Sequence, residues 1–292
     1  MEKHIEEFKR DGYTVFNGLF DLEQVEQWKT AFENLLKHQP PLTDKKRAPE
    51  FGDVVVLDNL IEKDPVEMMP AITNSVVLDF LEAVMGPFVQ MESLRINRTS
   101  PATKSSQEVS AINWHRDGWA LNVGTTDDYL SPQACNVLTY LQDLTEDSGP
   151  LRVIPGSHRG RLFVSQEDAH AALPENRLIK IKAGDTVIIH SSILHSGSPN
   201  TSDQPRYFMS RFYTKCYLPR RDNHDGPNVQ RILAEARERN DRRMMRLFGE
   251  DELAGRRCMQ TGGQAEEVLW KRWIEEDRAV LIPRLPKGGE NQ

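Results

Sequence analysis

Residues 183–213 read AGDTVIIHSSILHSGSPNTSDQPRYFMSRFY, and their punctuation decides the fold. The runs at 186–190 and 206–213 have strand length, and the Ser, Gly, Pro and Asn between them are turn residues. Upstream the same rhythm recurs, with candidate strands at 134–142, 151–154 and 178–181. Short strands separated by turn residues at near-regular intervals predict a sandwich or barrel, mainly β with flanking helices.

Working outward, the first 40 residues read as a short helix, a strand at 13–16 and a helix over 21–38. Asp21 suits an N-cap, and Leu22, Val25, Trp28, Phe32, Leu35 and Leu36 recur at helical spacing. Residues 39–52, rich in Pro and charge, read as a loop. A helix over 75–85, stopped by Gly86 and Pro87, leads into a strand at 89–98. Beyond 217, residues 227–248 place Val229, Ile232, Leu233, Ala236, Met244 and Leu247 on one helical stripe, and a second helix over 264–280 presents Leu269, Trp273 and Ile274. The chain is therefore expected to be one structural domain, a β core with N-terminal bracing helices over 1–217 and a helical extension over 218–292. The extension is read as a packing surface, which leaves a homo-oligomer through its helices open.

The 37 basic and 44 acidic residues give a net charge of −7, with no basic excess to draw nucleic acid or an anionic membrane surface. A small-molecule substrate is the expected partner. Cys135, Cys216 and Cys258 are odd in number and far apart, without a CxxC pair, so neither a disulfide framework nor a zinc ribbon is indicated. That usage fits a reducing compartment. The opening MEKHIEEFKRDG lacks an apolar run, and a cytoplasmic location is the expectation.

The chemistry is carried by HRD at 115–117 and by His195 in HSGSPN, 78 residues after Asp117. On a strand, residues at i and i+2 share a face, so His115 and Asp117 can reach one metal from adjacent positions. Two imidazoles and one carboxylate on one face of an octahedron leave three positions open, the ligand set of non-heme Fe(II) oxygenases. His190, five residues before His195, competes as third ligand, but it ends the apolar run TVII and also reads as a buried strand residue.

These stretches resemble the phytanoyl-CoA dioxygenase family of iron(II)- and 2-oxoglutarate-dependent oxygenases. The likeness runs from 8 to about 217, through FKRDGYTVFNGLFDLEQVEQW at 8–28, NWHRDGWAL at 113–121, LTYLQDLTEDSGPLRVIPGSHRGRL at 138–162 and the stretch at 183–213. It implies a double-stranded β-helix, a jelly roll of the cupin type with the metal in its open mouth. It implies His115, Asp117 and His195 as ligands of Fe(II), with His190 lying behind them.

The family's Arg that binds the far carboxylate of 2-oxoglutarate follows the distal His by eleven residues, which here is Arg206. A guanidinium fork matches a carboxylate bidentately, while Arg211 falls on the opposite strand face. Asn136 and Ser198 are further candidate contacts of 2-oxoglutarate, Ser198 because Gly197 stands where many relatives carry Ser. Trp119 and Tyr129 are candidate substrate contacts, and Arg95, Asn97 and Arg98 all stand on the strand before the HRD loop. His158 reads as a turn or entrance residue, and His4, His38, His170 and His224 as solvated. The implied reaction couples decarboxylation of 2-oxoglutarate by O2, giving succinate and CO2, to oxidation of an unactivated C–H bond. A cupin-like metal hydrolase or isomerase would share the ligands but have no use for an Arg aimed at a dicarboxylate, and a non-catalytic metal-binding protein of the same fold is a further alternative.

Overall fold

A computed structural model of the chain describes residues 1–41, 43–45, 51–102, 110–118, 129–160, 162–259 and 263–284. Its strands are β1 (Tyr13–Phe16), β2 (Thr43–Lys45), β3 (Val54–Leu57), β4 (Val89–Thr99), β5 (Ala134–Tyr140), β6 (Leu151–Val153), β7 (Arg177–Ile179), β8 (Thr186–His190), β9 (His195–Gly197) and β10 (Arg206–Lys215). Seven form one antiparallel sheet in the order β1-β8-β5-β10-β4-β3-β2, and three form a second in the order β7-β6-β9. The sequence predicts no separate strand at 54–57 or 195–197, because both are too short to show a period of their own.

Each face of the large sheet buries a different cluster. Leu138, Tyr140, Val187 and Ile189 point inward to meet Leu151, Val153 and Ile179 of the small sheet, closing the double-stranded β-helix. The intervening residues, including Cys135, Val137, Ile188 and Met209, point outward onto the helices. A bulge between Phe212 and Tyr213 shifts the register past Glu92, so that Met91 and Val89 regain the outward face.

Helices α1 (Glu2–Asp11), α2 (Leu22–Leu36), α3 (Leu60–Lys63), α4 (Pro65–Ile72) and α5 (Ser75–Met85) cover that face. Asp21 caps α2 by accepting from the Gln24 N–H at 2.8 Å, and Val25, Trp28, Ala31 and Phe32 form its buried stripe. Among the described residues no single helix is long and apolar enough to cross a membrane, and the apolar pair α4 and α5, bent by 50°, belongs to the core.

The stripe at 227–248 does not form one helix. It breaks into α6 (Pro227–Glu238) and α7 (Arg242–Leu247), because Asn240 takes φ 51° and Asp241 caps the new helix through the Met244 N–H. Helices α8 (Ala254–Met259) and α9 (Glu266–Ala279) follow. Buried charge knits the extension together, Arg246 pairing with Asp251 at 2.5 Å and Asp277 at 2.6 Å and Arg257 reaching both oxygens of Asp277 at 2.9 Å, while Arg243 docks it to the core by pairing with Glu82 of α5 at 2.7 Å.

Candidate metal centre

The HRD triplet does not lie on a regular strand. Residues 110–118 run irregularly alongside β9, and His115 forms a single bridge with His195, each N–H donating to the other's carbonyl at 3.0 Å. The Asp117 N–H donates to Ser191 O at 2.9 Å, in the connection between β8 and β9, which holds the backbone at this end of the segment. Pairing with β9 thus does what regular alternation is expected to do. The His115 and His195 rings come within 4.3 Å between centroids, and one ligand atom from each of His115, Asp117 and His195 lies within 4.8 Å of the others.

The donor set fits a metal ion. His115 Nδ1 lies 2.9 Å from Asn113 O and His195 Nδ1 lies 3.1 Å from Ile193 O. A carbonyl only accepts, so each Nδ1 carries the proton and each Nε2 presents its lone pair. Asp117 Oδ2 accepts from Asn136 Nδ2 at 3.1 Å, and Asp117 Oδ1 lies 3.8 Å from His195 Nε2. Burial, opposed by the Asp117 carboxylate and reinforced by His115, holds His195 below the usual histidine range, which favours the neutral, ligating imidazole.

His190 is differently committed. Its Nδ1 accepts from the Ser192 N–H at 3.0 Å, so its Nε2–H, 3.2 Å from Leu130 O, is the donor, and no lone pair remains. Alternation with Ile189 also turns it outward, against Phe8.

Arg206, buried, donates to Gly149 O and, at 3.3 Å, to Thr99 Oγ1. A Cβ placed on Gly197 would lie 3.6 Å from its Nη1, so the guanidinium sits against β9 two residues from His195. Arg211 points the other way, into the helices, donating to Ala71 O at 2.8 Å and to Thr139 Oγ1. On β4, Arg95 and Asn97 oppose Ser210 and Phe208 on the inner face, whereas Arg98 opposes Tyr207 and pairs with Glu33 outside at 2.9 Å.

Three expectations are corrected. Ser198 alternates away from His195, and its Oγ accepts from Arg152 Nε at 3.0 Å, so it does not stand in for the missing Ser at 197. Tyr129 packs beside His158 and His190 under Lys9 of α1, away from the inner face. His224 is buried against Phe248, not solvated. Trp119 lies outside the described residues. His158 ties the PGSH turn to α1 through Lys9 O at 3.1 Å. Sequence reasoning assigned no role to Ser210, whose Oγ donates to Asn136 Oδ1 at 2.8 Å; the strand face it shares with Arg206 is the signal that could have found it.

Comparison with known proteins gives the family and the fold. The family model described as phytanoyl-CoA dioxygenase (PhyH) matches residues 8–208. The L-proline trans-4-hydroxylase of Streptomyces griseoviridis is 29% identical over 163 residues, 46% of this chain and 58% of its own length. The ectoine dioxygenase of Sphingopyxis alaskensis is 24% identical over 225 residues, covering 68% and 71% respectively. Among solved structures, the epimerase SnoN in complex with Fe3+, alpha ketoglutarate and nogalamycin RO shares the fold with a TM-score of 0.57 and 20% identity, covering 75% of this chain and 86% of SnoN. HygX from Streptomyces hygroscopicus, with nickel, 2-oxoglutarate and hygromycin B bound, has a TM-score of 0.58 at 15% identity and covers 77% and 91%.

Proposed function

The chain belongs to the phytanoyl-CoA dioxygenase family, and with it to the iron- and 2-oxoglutarate-dependent dioxygenases, and on that premise we propose that it oxidises an unactivated C–H bond of a small molecule at a centre held by His115, Asp117 and His195. The observation that carries the reading is the convergence of three donors whose other atoms are already committed, beside a buried Arg206.

When bound, iron supplies O2 activation coupled to decarboxylation of 2-oxoglutarate. The chain's residues supply position and protection. Asn113 O and Ile193 O fix the two imidazoles, and Asn136, itself oriented by Ser210, fixes the carboxylate. Arg206 anchors the far carboxylate of 2-oxoglutarate from a desolvated site, where a charge-assisted fork is strongest. Asn136 serves the cosubstrate indirectly through Asp117. Arg95 and Asn97, on the inner face, line the substrate side.

The substrate class is drawn from the small molecules bound by SnoN and HygX and from the absence of a basic excess. Residues 1–217 are read as the oxygenase core and 218–292 as a helical extension packed on it. Exposed Met259, Val268 and Ile282 support a homo-oligomer through that extension, and three free thiols support a cytoplasmic location. A metabolite library incubated with enzyme, Fe(II), ascorbate and 2-oxoglutarate tests the function. Succinate formed in step with the mass gain of one oxygen, or the loss of two hydrogens, supports it; substrate conversion that leaves 2-oxoglutarate untouched contradicts it.

A further inference from the structure

A separate cavity, sharing no lining residue with the triad, lies where the extension meets the end of β10. It encloses about 500 Å³ and is lined by Phe88, Lys215, Tyr217, Cys258, Trp270 and Trp273 among others. That volume falls within the roughly 300–1,000 Å³ of small-molecule sites. Much of its wall lies beyond residues 8–208, the part shared with the family.

The cavity is built rather than incidental. Trp270 lies on Gly86, where a Cβ would come within 2.7 Å of the indole, and Gly86 has φ +74° and ψ −177°, a backbone open in practice only to glycine. Trp273 is backed by Arg257, whose guanidinium is committed to Asp277. Lys215 is 7% exposed, with its Nζ 5.1 Å from the Trp270 ring and 5.8 Å from Phe88.

That ammonium lacks an acceptor. Among the described residues Nζ donates no hydrogen bond and forms no ion pair; Glu266, the carboxylate with the largest charge effect on it, lines the same cavity from an exposed position without pairing with it. The neighbouring thiols supply no anion either. Burial, with the charge of Asp251, pushes Cys216 up to about 12, and burial raises Cys258 despite Lys215. Aromatic faces offset part of the desolvation, but a buried ammonium still calls for an oxygen acceptor.

We propose that this cavity binds a small planar aromatic anion, its carboxylate accepting from Lys215 and its ring stacking among Tyr217, Trp270 and Trp273. A neutral aromatic leaves the ammonium unmatched, and an aliphatic anion leaves the rings unused.

The probe is 1-naphthoate, titrated calorimetrically into protein loaded anaerobically with Mn(II) and saturating 2-oxoglutarate, so that any carboxylate site at the triad is filled. One site is expected, retained by Lys215→Arg, weakened about 30-fold or more by Lys215→Met, and barely occupied by 1-naphthalenemethanol. In the wild-type protein naphthoate should also shield Lys215 from reductive methylation, read by peptide mass spectrometry, which needs no variant to fold. No binding at millimolar naphthoate, equal binding by Lys215→Met, loss of binding when 2-oxoglutarate is added, or methylation of Lys215 unaffected by the ligand would each overturn the proposal.

Discussion

Asn136 holds Asp117 by a single oxygen: its Nδ2 donates to Oδ2 at 3.1 Å, while Oδ1 faces His195 Nε2 across 3.8 Å. Because Ser210 Oγ donates to Asn136 Oδ1 at 2.8 Å, the amide orientation is set from β10. Asn136→Ala should therefore weaken Mn(II) binding by about 10- to 100-fold without unfolding the sheet, with Ser210→Ala showing a smaller loss in the same direction. Calorimetric titration of Mn(II) under anaerobic conditions reads both; unchanged affinity in Asn136→Ala would remove the positioning role.

Arg206→Ala should raise the 2-oxoglutarate requirement strongly. Removing a charge-assisted partner from a buried carboxylate costs about 2 to 5 kcal/mol, roughly 30- to several thousand-fold in affinity. Metal affinity should stay near that of the parent. Arg211→Ala should instead lower the Tm, since its bonds to Ala71 O and Thr139 hold strand to helix. The KM for 2-oxoglutarate, set beside a thermal melt, separates the two arginines.

Asp277→Ala should destabilise the chain by about 3–5 kcal/mol, because Arg246 and Arg257 then lose a buried counter-charge. Denaturant unfolding measures it. Stability close to that of the parent would mean that Asp251 and Glu276 suffice to neutralise the pair.

Acid should destabilise the fold through buried histidines. Burial, with the neighbouring His158, lowers His190 to about 3, and burial lowers His158 and His224 each to about 4, from 6.5. The unfolded chain takes up these protons first, so stability is full above pH 6.5 and falls as the pH drops towards 4, on the order of 1.4 kcal/mol per unit of separation. Asp222, raised to about 7 by burial, acts in the opposite sense but alone against three. His224→Gln should flatten the pH dependence of Tm, while a slope unaltered by the substitution would assign the effect elsewhere.

Much of this was legible in the sequence. The strands at 13–16 and 186–190 and the helix at 75–85 fall where period and punctuation put them, because each is bounded by strong turn or cap residues. Arg206 and Arg211 separate onto opposite faces as strand alternation requires. Illegible were features set by partners distant in sequence. The HRD segment is aligned by its bridge to His195 and not by its own strand, and Ser198 is claimed by Arg152 from the neighbouring strand. The break at Asn240 depends on one left-handed residue inside an otherwise continuous apolar stripe.

In the proposed centre His115, Asp117 and His195, not His190, hold an iron that 2-oxoglutarate chelates. Anaerobic addition of 2-oxoglutarate to the Fe(II)-loaded protein, followed by visible charge-transfer absorption, tests it most directly. The band should appear in the wild-type protein and in a folded His190→Gln variant, and vanish in folded Asp117→Ala and His195→Ala. A band that survives in His195→Ala and is lost in His190→Gln would contradict the account.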